Sequence, residues 1–144
     1  MRVTSPSDVH AVESALTDLV CDYDKRWSSL DFVALGDLWV RDDPAPIYVG
    51  DEYAAPVIGN DELERHWARV AGRLESATVS SALHEFDVVD ETVVRAIVLS
   101  RWRLTGVEGD GERAGTSWIT WLLVWRGGRL RIFHQMESQV HLAE

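Results

Sequence analysis

The chain carries one cysteine, Cys21, and one lysine, Lys25, in 144 residues. A lone thiol forms no intrachain disulfide and builds no thiolate zinc cluster. A lone lysine among fourteen basic residues leaves little room for a Schiff-base nucleophile. No apolar run reaches the length of a bilayer span and no signal-peptide pattern opens the chain, so the expected location is the cytoplasm. Positive charge is scarce as well: 24 acids face 14 bases, for a net charge of −10. That balance argues against nucleic acid or an anionic membrane as partner. The acids Asp42, Asp43, Asp51 and Glu52 would ring one end of the fold, but no histidine keeps ligand spacing with them. No metal and no cofactor is therefore expected.

What the chain has in excess is tryptophan, seven in all, within a composition that is 46% hydrophobic. This excludes disorder and suits one domain over residues 1–144. Large aromatic rings serve cores, interfaces and ligand cavities alike, so the excess alone does not choose among them.

The first half reads as helices. Ser5, Pro6 and Asp8 supply a cap, a first-turn proline and an acid for a helix over 5–29. Val9, Val12, Leu16, Leu19, Val20, Tyr23, Trp27 and Leu30 keep its apolar period. Asp31 caps a short second helix that buries Phe32, Leu35, Leu38 and Trp39, and Pro44 and Pro46 stop it. Ile47–Val49 and Pro56–Ile58 are short extended pieces. Asp61 and Glu64 have capping-box spacing for a third helix with Leu63, Trp67, Val70 and Leu74 inside.

From residue 77 the period changes to two. Strands are expected over 78–89, 92–104 and either side of Gly127-Gly128, with a solvated loop over 106–114. The paired glycines suit a type I′ turn, which needs positive φ at both central positions. Counting back from it, Trp125 faces Leu130, Leu123 faces Ile132 and Trp121 faces His134. One face then carries Ile119, Trp121, Leu123, Trp125, Leu130, Ile132, His134 and Met136. Helices first and a four-stranded antiparallel meander after make an α+β fold. A long curved sheet with its helices on one face is a cone with a hollow inside.

Several local patterns together resemble the nuclear-transport-factor-two-like fold, and within it the SnoaL-like family. Tyr23 stands eight residues before Asp31. Ile47-Tyr48-Val49 and Val57-Ile58-Gly59 lead into Leu63 and Trp67. Leu123–Arg126, Arg129–His134 and Ser138 match the terminal hairpin. The resemblance spans Val9 to Ser138. It implies three helices on a strongly curved, mostly antiparallel sheet, with a cavity towards which Tyr23, Trp27, Trp39, Tyr48, Trp67, Trp102, Trp121 and His134 point. It implies no single activity, because isomerases, dehydratases, cyclases, transport adaptors and oligomerisation domains share this fold. Where a steroid isomerase of the fold has an acid before the last hairpin, this chain has Trp121. Its base position falls near Ile47-Tyr48, with no acid in register.

Two readings follow. In the first, His134 moves a proton, Tyr23 or Tyr48 polarises a carbonyl, and His84, on the face of Phe86 and Val88, is a second catalytic group. Trp27, Trp39, Trp67, Trp102, Trp121 and Met136 would hold a small apolar or polycyclic carbonyl compound. Asp24 would orient a histidine or lie on the surface. His10, His66 and His141 read as solvated. In the second reading the same rings fill a non-catalytic binding or association module. Both expect a homodimer through the outer sheet face, which would otherwise expose Trp118, Leu122, Val124 and Phe133.

Overall fold

The computed structural model describes residues 6–41, 43–51, 53–107 and 111–140, with side chains from Val9 onward. Ser5, the Asp8 side chain, Asp42, Glu52 and His141 lie outside the described residues, as does the centre of the expected 106–114 loop. The elements are α1 (Pro6–Ser28), α2 (Phe32–Gly36), β1 (Ile47–Val49), β2 (Val57–Ile58), α3 (Asn60–Arg73), β3 (Leu74–Val88), β4 (Val93–Gly106), β5 (Glu112–Arg126) and β6 (Arg129–Gln139). The architecture is α+β. The sheet runs β2-β1-β6-β5-β4-β3, antiparallel except where β1 lies parallel to β6.

Helix α1 forms where its apolar stripe predicts, whereas α2 ends at Gly36, before Leu38 and Trp39 and well short of the prolines expected to stop it. Val12, Leu16, Leu19, Val20 and Tyr23 bury one face of α1 against the sheet. Leu30, at φ 57°, closes that run in the left-handed region. Asp31 then accepts from the Ala34 amide at 3.1 Å and caps α2. Helix α3 departs from expectation at its start. Asp61 does not cap it; the cap residue is Gly59 at φ 93°, and the Asn60 side chain donates to the Val40 carbonyl at 3.0 Å. The buried stripe of α3 also differs from expectation: Leu63 and Trp67 are buried, Val70 is half-buried, and Leu74 begins β3. His66, expected in solvent, is 1% exposed beside Trp67.

The hairpin turn forms as read, with Gly127 and Gly128 at φ 58° and 78°. Arg126 faces Arg129, Trp125 faces Leu130 and Leu123 faces Ile132. There the expected register ends. Leu122 faces His134 and Trp121 faces Gln135, so Phe133 is an extra residue with no opposite. Such a bulge re-aims every side chain beyond it. On its other edge β6 changes partner at this point. Ile132 exchanges hydrogen bonds of 2.9 Å with the Leu38 carbonyl and the Val40 amide, whereas β1 pairs from His134 onward. The strand must bend between these two partners, and the bulge supplies the bend. His134 and Met136 therefore turn to the outer face, where Met136 is 48% exposed, and Gln135, fully buried, turns inward.

A second bulge lies in β3, where Leu83 faces Val98 and Glu85 faces Ile97. His84 has no opposite and does not share the face of Phe86. It is exposed, with its ring 5.0 Å from that of Trp118 on the outer side. Trp118 is itself 37% exposed there, but Val124, expected on that open face, is buried within the chain. No described helix is long and apolar enough to cross a membrane.

Candidate functional site

Between the helices and the concave sheet face lies a cavity of about 420 Å³. Helix α1 contributes Tyr23 and Trp27, β1 Tyr48, the following turn Asp51 and Tyr53, and the end of α3 Val70 and Arg73. The sheet supplies Leu74, Val79, Ser100, Trp102, Leu104, Arg113, Ser117, Ile119, Glu137 and Gln139. The size suits a compact organic molecule.

Beyond the β6 bulge the inward positions are Gln135, Glu137 and Gln139, and they make the polar side of this hollow. Trp121 Nε1 donates to Gln135 Oε1 at 2.9 Å, and Gln135 Nε2 donates to Glu137 Oε1 at 2.6 Å. An indole N–H only donates and a carboxylate only accepts, so these neighbours fix which way the amide points. Tyr23 packs edge-on against Trp121, ring centroids 5.3 Å apart. Burial, and after it the Glu137 carboxylate, push the Tyr23 hydroxyl well above its ordinary pKa, and a hydrogen bond from Gln135 offsets part of that. Tyr23 thus stays a neutral O–H at any physiological pH, a hydrogen-bond donor rather than a base.

A second line of polar groups runs in from α1. Asp24 Oδ2 accepts from the Ser81 amide at 2.7 Å, and the Ser81 hydroxyl donates to Ser100 Oγ, on the cavity wall, at 2.9 Å. Burial raises the Asp24 pKa, with the Ser81 contacts opposing. Its Oδ1 is buried without a partner; Trp27 Nε1, on the wall itself, makes no hydrogen bond of ordinary length but lies near enough to the Tyr23 hydroxyl to lower its pKa. At the far side His66 Nδ1 lies 2.9 Å from the Tyr53 hydroxyl and its Nε2 is unpartnered. Burial lowers the His66 pKa to about 4, with Arg69 and Arg73 adding to the effect, so the imidazole is neutral at pH 7. Trp102 crosses the wall to donate Nε1 to Ser117 Oγ at 3.0 Å. It fits only because its neighbour is Gly115, where a Cβ would sit 2.5 Å from the ring.

No protein-family model matches the sequence, and no curated protein matches it. Solved structures do. A ketosteroid isomerase-like protein from Erwinia carotovora atroseptica superposes at TM-score 0.75 with 12% identity, over 90% of this chain and 96% of that one. A nuclear-transport-factor-two-like protein of dehydratase type from Streptomyces avermitilis gives 0.79 at 15%, over 96% and 100%. A hexachlorocyclohexane dehydrochlorinase from Novosphingobium barchaimii LL02 gives 0.78 at 16%, over 95% and 92%. The chain has the nuclear-transport-factor-two-like fold. At these identities the likeness speaks for the fold alone.

Within that fold the expected site residues divide. Tyr23, Tyr48, Trp27 and Trp102 line the cavity. Trp121 lies beneath it, fully buried, as the donor that fixes Gln135. Trp39 and Trp67 belong to the packed core instead; Trp67 sits against Phe32, Trp27 and His66. His134, Met136 and His84 are not part of the cavity, and the two bulges are the reason. Of the acids expected at one end, Asp51 lines the hollow and accepts from the Gln139 amide at 2.8 Å. The reading of residues missed Glu137, Gln135, Ser100 and the inward reach of Asp24.

Proposed function

We propose that the protein binds a small, largely apolar carbonyl compound in the cone and moves a proton on it without a cofactor, as an isomerase, cyclase or dehydratase does. Glu137 replaces His134 as the base. It removes a proton from the carbon beside the carbonyl, while the Tyr23 O–H donates to the oxygen on which charge develops. One oxygen of Glu137 is held by Gln135, which fixes the carboxylate on the cavity wall. On an unsaturated ketone, return of that proton from the Glu137 carboxyl to another carbon of the dienolate gives isomerisation; on a β-hydroxy ketone, its delivery to the departing hydroxyl releases water and gives dehydration. The observation that supports this reading is the β6 bulge, which brings a carboxylate and an amide to the wall beside a neutral buried tyrosine.

The test uses 2-tetralone, a bicyclic ketone, in deuterated buffer, with exchange of its α-hydrogens followed by NMR. Glu137→Gln and Tyr23→Phe are expected to lower the catalysed exchange by about 100-fold each, and His134→Ala to leave it unchanged. Exchange no faster than in buffer, with the ketone bound, would favour the second reading, a non-catalytic binding module. The mutual packing of Trp27, Phe32 and Trp67, in which a cavity-wall ring is continuous with the core, is what supports that alternative.

We further propose a homodimer through the outer sheet face, where Trp118 and Met136 stand exposed on adjacent strands, with the cytoplasm as its location. Sedimentation as a monomer at micromolar concentration would refute the dimer.

A further inference from the structure

A second recess, of about 320 Å³, opens at the hairpin end of the sheet and shares no residue with the cavity. Its floor is Val40 and Val124, and its walls are Arg41, Arg126, Arg129 and Arg131. In a chain of net charge −10, four of the fourteen basic residues meet at this one spot. Arg126 and Arg129 stand directly opposite each other across the turn, and Arg131 is opposite Val124 on the same face. Like charges in directly paired positions destabilise a hairpin.

The charges are also poorly compensated. Arg41 has carboxylate partners, Asp37 at 3.2 Å and Glu64 at 3.6 Å. Arg126 and Arg131 donate to backbone carbonyls, of Asp43 at 3.1 Å and Asp37 at 2.7 Å. A carbonyl orients a guanidinium but does not neutralise it. Among the described residues, then, Arg126 and Arg131 are held by backbone carbonyls without an ion pair, and Arg129 beside them makes none. That arrangement is preorganised for an acceptor with several oxygens and more than one negative charge.

We infer that this recess binds a phosphate-type dianion, outside the cavity and independent of its chemistry. The anion would sit between Arg126, Arg129 and Arg131 and relieve the repulsion that the hairpin carries without it.

Inorganic phosphate is the probe, titrated at constant ionic strength set by potassium chloride, with calorimetry for affinity and thermal unfolding for stability. Phosphate is expected to raise the unfolding midpoint of the whole protein beyond the chloride control. Arg129→Gln is expected to do two opposite things: raise the phosphate-free midpoint by about 1–3 °C and weaken phosphate binding by about tenfold. Arg101→Gln, the same change on the exposed face of β4, is expected to do neither. Phosphate acting no more than chloride would overturn the inference, as would equal responses from the two variants.

Discussion

Replacing Gln135 by leucine tests the bulge on which the site depends. In the structure Gln135 is fully buried and answers Trp121 Nε1, which is itself fully buried. A leucine of similar volume removes that acceptor and strands an indole N–H where water does not reach. An orphaned buried donor costs about 1–3 kcal/mol. The lost hydrogen bond to Glu137 adds little, because that carboxylate lines the cavity and can be hydrated. The lost contact with the Tyr23 hydroxyl adds a fraction more, and the greater burial of leucine carbon returns some of it. The expected net loss is about 2 kcal/mol, a substantial share of a domain's usual stability. His134→Leu, on the half-buried outer face beside Ile47 and Leu122, is expected to change stability by about 0.5 kcal/mol or less. Urea unfolding of the two variants reads the contrast directly. If β6 ran without a bulge, the order would invert, since His134 would lie under α1 and Gln135 outside. A costly His134→Leu with a neutral Gln135→Leu would therefore refute the placement. A double-mutant cycle with Trp121→Phe isolates the single hydrogen bond, with an expected coupling of about 1 kcal/mol.

Three more outcomes follow from individual contacts. Gly115→Ala should push the Trp102 indole from its seat, break its bond to Ser117 and cost about 1–3 kcal/mol; an unshifted Trp fluorescence spectrum and midpoint would contradict the close approach. His66 has its pKa lowered to about 4 from an ordinary 6.5. The unfolded chain therefore binds a proton that the folded chain refuses, so His66 favours folding above pH 6.5 and that contribution drains away as pH falls towards 4, by about 1–3 kcal/mol in all. Asp24, raised by burial, works in the opposite sense at the acid end. The difference between wild type and His66→Gln across pH 4–7 isolates the histidine, and a difference that stays flat would show that it is not buried neutral. Asp24→Asn keeps an acceptor for the Ser81 amide and removes a charge that burial disfavours. It should stabilise the protein at pH 7 by about 1 kcal/mol; a loss of stability would mean that the carboxylate is better satisfied than its unpartnered Oδ1 suggests.

The fold was legible because its signals are local. Two adjacent glycines between alternating strands suit a turn with positive φ twice, and the hairpin register near them follows by counting. Tyr23 and the α1 stripe repeat at helical spacing, and Asp31 stands where a cap must stand. The α3 start was not legible, because Gly59 carries no cap side chain and Asn60 spends its amide on Val40, twenty residues away. His66 was misread for a related reason: it is one polar residue on the edge of an apolar stripe, and only Tyr53, thirteen residues earlier, makes its burial tolerable.

The site was harder to read, because the irregularity that sets it leaves no mark on the local pattern of β6. Along β6 the run Leu130, Ile132, His134, Met136 keeps an unbroken apolar alternation, while Gln135, Glu137 and Gln139 look like the solvated face of the same strand. Pattern reading assigns the apolar series to the inside. A bulge at Phe133 exchanges the two series, and its cause lies in the separate segments that pair with the far edge of β6, Leu38–Val40 and Ile47–Val49. A strand that lines a polar hollow and a strand that faces water have the same alphabet. What separates them is cost. Asp24 Oδ1 and Trp27 Nε1 are kept buried without a hydrogen bond of ordinary length around this hollow, and Tyr23 and Asp24 are held away from their ordinary pKa by burial. A packed core without a ligand gains nothing by carrying such groups, and each substitution that relieved them would stabilise the fold. Trp27 Nε1 is on the cavity wall, and Asp24 reaches that wall through Ser81 and Ser100, so the proposed ligand would meet a polar side that pattern reading assigns to solvent.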